Sequence, residues 1–211
     1  MQKRQMLWAA GFILTAVFLV PLLMVISQQI SKGSGEAQYG INGEKLMPLS
    51  FEWQDVTANL QTFPANRPQF TYLFAGFLSC SEICPIRIQQ LHQLESTILK
   101  GSDFNNIDIA FMFITIDPEN DTLAIRQQVI DERSPRFKSA MLEESELLSL
   151  SRHLSENIQS YSPSNNHVGN LYLINPNGFV ARIYTARQLS TDKMLAELKH
   201  YIESSKGNNN D

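Results

Sequence analysis

The stretch Phe77-Leu78-Ser79-Cys80-Ser81-Glu82-Ile83-Cys84-Pro85 holds the only two cysteines among 211 residues. An apolar, aromatic-rich run over residues 70–77 leads into it as a buried strand. Residues 85–100 follow as an amphipathic helix with Ile88, Leu91, Leu94, Ile98 and Leu99 on one face. The cysteines are thus placed at a strand-to-helix junction, where the free N–H groups of the first turn and the positive end of the helix dipole favour a thiolate over a thiol. Two soft thiolates held close can bind a soft metal or close a disulfide. Two cysteines in an extracytoplasmic protein ordinarily form a stabilising disulfide. With three residues between them the loop is short, however, and closing it removes little entropy from the unfolded chain.

Composition sets the outer bounds. With 17 basic and 21 acidic residues, a net charge of −4 and 43% hydrophobic residues, the chain carries no electrostatic footprint for nucleic acid. Residues 1–26 read as a cytoplasmic N-terminus and transmembrane anchor: Lys3 and Arg4 precede an apolar run from Met6 to Ile26, 21 residues long, close to the roughly 20 that cross a bilayer. A cleavable signal peptide would have a shorter apolar region, about 7 to 15 residues, and an Ala-x-Ala-like site. The basic residues ahead of the helix leave the N-terminus inside and export the remainder. No Arg-rich amphipathic presequence precedes it, so a single-pass bacterial inner-membrane protein with a periplasmic domain is expected. Residues 27–45, polar and glycine-rich around Ser31-Lys32-Gly33-Ser34-Gly35, read as a flexible tether. Residues 46–205 are long enough for one domain with a full core, and 206–211 form a polar tail.

Within that domain, residues 49–53 are a candidate strand. Residues 107–116 form a near-continuous apolar run of the kind a central, doubly covered strand requires. Asp117-Pro118-Glu119-Asn120-Asp121-Thr122 makes a turn and helix cap before a short helix over 123–130, and a second helix is expected over 144–154. Residues 171–174 and 179–184 flank the turn Asn175-Pro176-Asn177-Gly178 as a hairpin. Ser190 caps a last helix with Met194, Leu195, Leu198, Tyr201 and Ile202 at helical spacing. The order is that of an α/β protein with helices on both faces of one sheet. A dicysteine that ends a strong strand and opens the next helix is the thioredoxin-like arrangement, here with three residues between the cysteines in place of the usual two.

Gly76-Phe77, Cys80-x-x-x-Cys84-Pro85, Asp117-Pro118-x-x-Asp121-Thr122 and His167 followed by Tyr172-Leu173-Ile174-x-Pro176-x-Gly178 together resemble, in order and spacing, the Sco/SenC family. The resemblance covers the chain from about Pro48 to the last helix. It implies a membrane-anchored, thioredoxin-fold copper chaperone whose client is the copper-site subunit of a respiratory cytochrome c oxidase, with other copper chaperones or thiol reductants as further partners. By match of motif it implies that Cys80, Cys84 and His167 bind copper. Thiolates select Cu(I) and an imidazole also accommodates Cu(II), so such a set can serve both oxidation states. The other reading is a periplasmic thiol–disulfide oxidoreductase, in which Cys80 attacks and Cys84 resolves. A thiol peroxidase would need Ser or Thr three residues before its reactive cysteine, where Phe77 stands.

His92, His153 and His200 have no motif around them and read as surface or half-buried. Met112 and Met141 read as packing residues. Asp117 and Asp121 read as capping carboxylates. The chain departs from the family pattern in Ser81 for a proline, Leu78 for a threonine, and Asn166 for the aspartate beside the histidine, which removes a carboxylate that would support the imidazole.

Overall fold

A computed structural model of the chain describes residues 39–43, 46–67, 69–161, 166 and 168–207. The expected membrane anchor over 1–26 lies outside the described residues, as does most of the tether. Among the described residues no helix is long and apolar enough to cross a membrane.

Two all-buried strands, β4 (Phe70–Gly76) and β5 (Ile109–Thr115), pair in parallel at the centre of a six-stranded sheet. They are apolar along their whole length because both faces are covered, as parallel strands require. The helix α1 (Ile83–Lys100) makes the crossover between them, and α2 (Leu123–Val129) makes the next crossover to the edge strand β6 (Phe137–Ala140). On the other side of β4 lie β7 (Leu171–Ile174) and β8 (Val180–Tyr184), an antiparallel hairpin, then the two-residue β1 (Ile41–Asn42). The hairpin turn is closed by the Asn175 carboxamide, whose oxygen accepts from the N–H groups of Asn177 and Phe179. Gly178 supplies the positive φ of 83° that the turn needs.

Alternation along the strands divides the core into two layers. Tyr72, Phe74, Phe111 and Phe113 face α1 and α4 (Thr191–Gly207), where Leu91, Leu94, Ile98, Met194, Leu198 and Ile202 meet them. Leu73, Ala75, Met112 and Ile114 face α3 (Glu144–Leu154) and a separate hairpin of β2 (Phe51–Gln54) and β3 (Leu60–Phe63). Helices on both faces of one sheet, with a dicysteine turn leaving the C-terminal end of β4, is the thioredoxin-like plan expected from the sequence.

Three features differ from the sequence reading. Leu99, expected on the core face of α1, is 62% exposed, while Arg87 and Glu95 are buried on that helix. β6 went unrecognised because only four residues of mixed polarity form it, and an edge strand needs no apolar run. Tyr39–Gly43, assigned to the tether from their polarity, are fastened to the domain: β1 pairs with β8, and the N–H groups of Tyr39 and Gly40 donate to Glu197, which is itself buried against Arg182 at 2.9 Å.

Candidate functional site: the dicysteine turn

β4 ends at Gly76, and the chain turns through residues 77–82 into α1, with the Cys80 N–H donating to the Phe77 carbonyl. Cys84 falls in the first turn of the helix and points under it, 1% exposed, whereas Cys80 stays half-exposed on the turn. Gly76 makes room for the buried sulfur: a Cβ there would lie 2.8 Å from Cys84 Sγ, too close to be tolerated without displacing it.

The two sulfurs, both free thiols, lie near enough for each to affect the other's ionisation, and they behave oppositely. For Cys80, partial burial works against ionisation. It is outweighed by the backbone N–H groups of Cys84, Glu82 and Ile83 and by the Cys84 thiol, all directed at the Cys80 sulfur, so its pKa falls below that of a free thiol. The Glu82 N–H lies 3.4 Å from that sulfur. For Cys84, burial dominates and the neighbouring Cys80 and Asp121 charges add to it, pushing the pKa up to about 12 in spite of an N–H from Phe77. The helix-terminus argument thus holds for Cys80 and fails for Cys84, because desolvation exceeds the dipole's favour. A nucleophilic, accessible sulfur is paired with a buried one that holds its proton.

Each sulfur opens onto a different hollow. Cys80 lines a cavity of about 310 Å³ with Glu82 and Ile83 on one wall and Asn166 and Val168 on the other. Cys84 borders a more apolar groove of about 420 Å³ formed with Leu78, Ile88, His92 and Val129. A larger cavity, about 530 Å³, lies at the opposite end of the sheet beside Trp53 and Arg136 and contains no cysteine or histidine.

His167, the third expected ligand, lies outside the described residues, between Asn166 and Val168. Among the described residues no group of three or more His, Cys, Asp or Glu side chains is arranged to hold a metal ion, so the described site supplies two sulfurs. Asn166 is buried and pins its loop: Oδ1 accepts from the Gln159 N–H at 2.9 Å and Nδ2 donates to the Ser160 carbonyl at 2.8 Å. A carboxylate has no donor for the second bond, which gives the amide at this position a physical reason. The remaining histidines are as expected: His92 is half-buried against Phe137, and His153 and His200 are exposed.

Asp121 is the residue whose role the sequence misassigned. Thr122, not Asp121, caps α2, its hydroxyl accepting from the Ile125 N–H. The Asp121 carboxylate, 2% exposed, instead accepts from the Leu78 N–H at 3.0 Å and the Thr115 hydroxyl at 2.7 Å, tying the pre-cysteine turn to the end of β5. That contact spans 43 positions, so no local pattern marks it. Asp117 stays local, binding Asn120. Burial raises the Asp121 pKa above its ordinary 3.8, against the pull of Thr115 and Leu78. The folded protein therefore holds this proton more tightly than the unfolded chain. The stabilisation linked to that proton is complete below pH 3.8 and is lost as pH rises through the folded value. Asp121→Ala removes both bonds and strands the Leu78 amide. It should cost about 1.5–3 kcal/mol in urea denaturation at pH 7, while Asp121→Asn, which keeps an acceptor, should cost less than half as much. Equal costs for the two variants would contradict the assignment.

The SCO1/SenC family model matches residues 43–203. Among curated proteins, an SCO2-like protein of Rickettsia prowazekii is 28% identical over 119 residues, which is 56% of this chain and 56% of that protein. The mitochondrial SCO2 homologue of Mus musculus is 25% identical over 146 residues, 64% of this chain and 54% of that protein. The matched region thus spans a little over half the length of these relatives. Among solved structures, Arabidopsis thaliana ScoI with copper bound superposes with a TM-score of 0.60 at 21% identity, over 74% of this chain and 98% of that one. BsSco, a member of the Sco family of cytochrome c oxidase assembly proteins in which a disulfide switch is identified, superposes at 0.59 and 18% identity, over 77% and 95%. These likenesses concern the fold. The family match begins just after β1 and runs through the dicysteine turn and the β7–β8 hairpin into the last helix, and with it the chain is a member of the SCO1/SenC family.

Proposed function

We propose that this chain is a copper-binding chaperone, anchored in a bacterial inner membrane by residues 1–26 and reaching into the periplasm through the tether. It delivers copper to, or prepares the thiols of, the dinuclear copper site in the copper-site subunit of a respiratory cytochrome c oxidase. The observation that carries this reading is the placement of Cys80 and Cys84 on one turn: two soft donors side by side, one accessible with its pKa lowered by the N–H groups around it, the other buried and reachable once its proton is displaced. Cu(I) is the cargo this pair suits best, and an imidazole from His167 extends the set to Cu(II). Copper bound by Arabidopsis ScoI and oxidase assembly by the family of BsSco are consistent with it.

The site is built for release as well as capture. Cys80 is accessible and lines an open cavity, so a partner's ligand can take its place on the metal first. Cys84 follows, recovering a proton as it lets go, and the high affinity of that buried sulfur for a proton favours completion of the transfer.

The asymmetry of the sulfurs also favours a second reading, thiol–disulfide exchange. The Cys80 thiolate attacks one sulfur of a partner disulfide, forming a mixed disulfide and expelling the partner's other sulfur as thiolate. Cys84, giving up its proton, then attacks Cys80 Sγ and expels the second partner thiolate. The partner gains two electrons and this protein ends as the Cys80–Cys84 disulfide. His167 separates the two readings. Under the copper reading, His167→Ala lowers Cu(II) affinity by at least about 10-fold while disulfide formation by the reduced protein proceeds at the wild-type rate. Unchanged Cu(II) affinity in that variant would remove His167 from the ligand set and favour the oxidoreductase.

A further inference from the structure

Arg87 occupies the helical turn after Cys84, three positions along α1, and is completely buried. An arginine so placed ordinarily has a carboxylate partner. The bonds of this guanidinium go instead to neutral oxygens: Nε donates to the Gly169 carbonyl at 2.7 Å, Nη2 to the Ala186 carbonyl at 2.8 Å, and Nη1 to Gln90 Oε1 at 2.8 Å and the Arg187 carbonyl at 3.4 Å. Gln90 repeats the link, donating to the Arg187 carbonyl at 3.0 Å. One side chain on the cysteine helix thereby fastens two separate loops, the one entering β7 and the one leaving β8.

The first of these loops is the far wall of the Cys80 cavity. Two of its described residues are held: Asn166 is tied to Gln159 and Ser160, and Gly169 is tied to Arg87. Gly169, at φ 144°, presses against Ile83, where a Cβ would come within 3.0 Å of Ile83 Cγ1. The gap between the cysteine turn and the facing loop is therefore set by the Ile83–Gly169 contact and closed by the Arg87 bond. The planar fork matters, since it reaches carbonyls in different directions at once, which a lysine ammonium on a flexible stem cannot reproduce.

We infer that Arg87 is a positioning residue for the dicysteine site: it clamps residues 168–170, which enter β7, at a fixed separation from the turn that carries Cys80 and Cys84. This rests on the proposed function for its copper arm and on the geometry alone for its metal-free arm. A pair of thiolates on one turn binds Cu(I) without help from the facing loop, whereas Cu(II) needs the additional ligand. Loss of the clamp therefore falls selectively on Cu(II), by about 10- to 100-fold, the usual effect of removing a group that orients a metal ligand.

The test uses the full-length chain in detergent with Arg87→Gln and Arg87→Lys. In the metal-free, reduced protein, amide hydrogen exchange at residues 168–170 should accelerate at least 10-fold in Arg87→Gln, with protection in β4 and β5 retained. In copper titrations Arg87→Gln should lose Cu(II) affinity and intensity in its sulfur-to-Cu(II) charge-transfer band, while Cu(I) affinity changes by less than about 3-fold; Arg87→Lys should fall between. Should Arg87→Gln not fold, Arg87→Lys alone decides by the same two readouts. Wild-type exchange at 168–170, or equal losses of Cu(I) and Cu(II), would overturn the inference. A wild-type chain that binds neither ion would instead defeat the proposed function, and the exchange result would still judge the clamp.

Discussion

Brief treatment of the reduced chain with limiting iodoacetamide at pH 7 is expected to carboxymethylate Cys80 at least about 1,000-fold faster than Cys84, as read by peptide mass spectrometry. Two independent factors multiply here. A thiol whose pKa is pushed up to about 12 is ionised at pH 7 to only about one part in 100,000, and only the thiolate attacks. The Cys84 side chain is in addition 1% exposed beneath α1, so reagent reaches it only when the turn opens. Cys80 is half-exposed and its pKa is depressed by the N–H groups around it. In a Cys80→Ser variant, Cys84 should stay unlabelled until urea unfolds the domain. Comparable labelling of the two cysteines in the native wild type would show that the burial of Cys84 does not govern its chemistry.

The second large effect concerns copper. Cys80→Ser/Cys84→Ser leaves the fold with no soft donor at the turn, and Cu(I) affinity should fall by at least about 1,000-fold. The pH dependence carries a further signature. Cys84 retains its proton at neutral pH, so Cu(I) must displace it, and the apparent affinity of the wild type should rise by at least about tenfold for each pH unit between 6 and 8. A site built from two pre-ionised thiolates would show no such slope. The direction follows from desolvation winning over the helix dipole at Cys84, the point on which simple motif reasoning about helix termini is incomplete.

Where the sequence was informative, the reason was periodicity over a long enough stretch. β4 and β5 read as doubly buried strands because seven consecutive apolar or small residues leave no solvent face. α3 and α4 read as helices from repeats of three and four. The dicysteine turn and the β7–β8 hairpin were legible from punctuation by Pro, Asn and Gly. What escaped was whatever depends on a distant partner. Arg87 looks like a solvated helical arginine until the carbonyls of residues 169 and 186 close over it. Asp121 looks like a cap until the Leu78 amide arrives from 43 positions away. Leu99 has the right spacing for the core face of α1 and is exposed. Polar residues that organise the site are thus the least visible in one dimension, because their local context permits several ordinary roles and only tertiary packing selects one.

Anaerobic titration of the reduced full-length chain with Cu(I), in competition with a chromophoric chelator, tests most directly whether the paired sulfurs form a copper site. The wild type should withdraw one equivalent of Cu(I) from the chelator, and Cys80→Ser/Cys84→Ser should withdraw none under the same conditions. A wild-type chain that competes no better than the double variant would contradict the copper assignment and leave thiol exchange as the chemistry of this site.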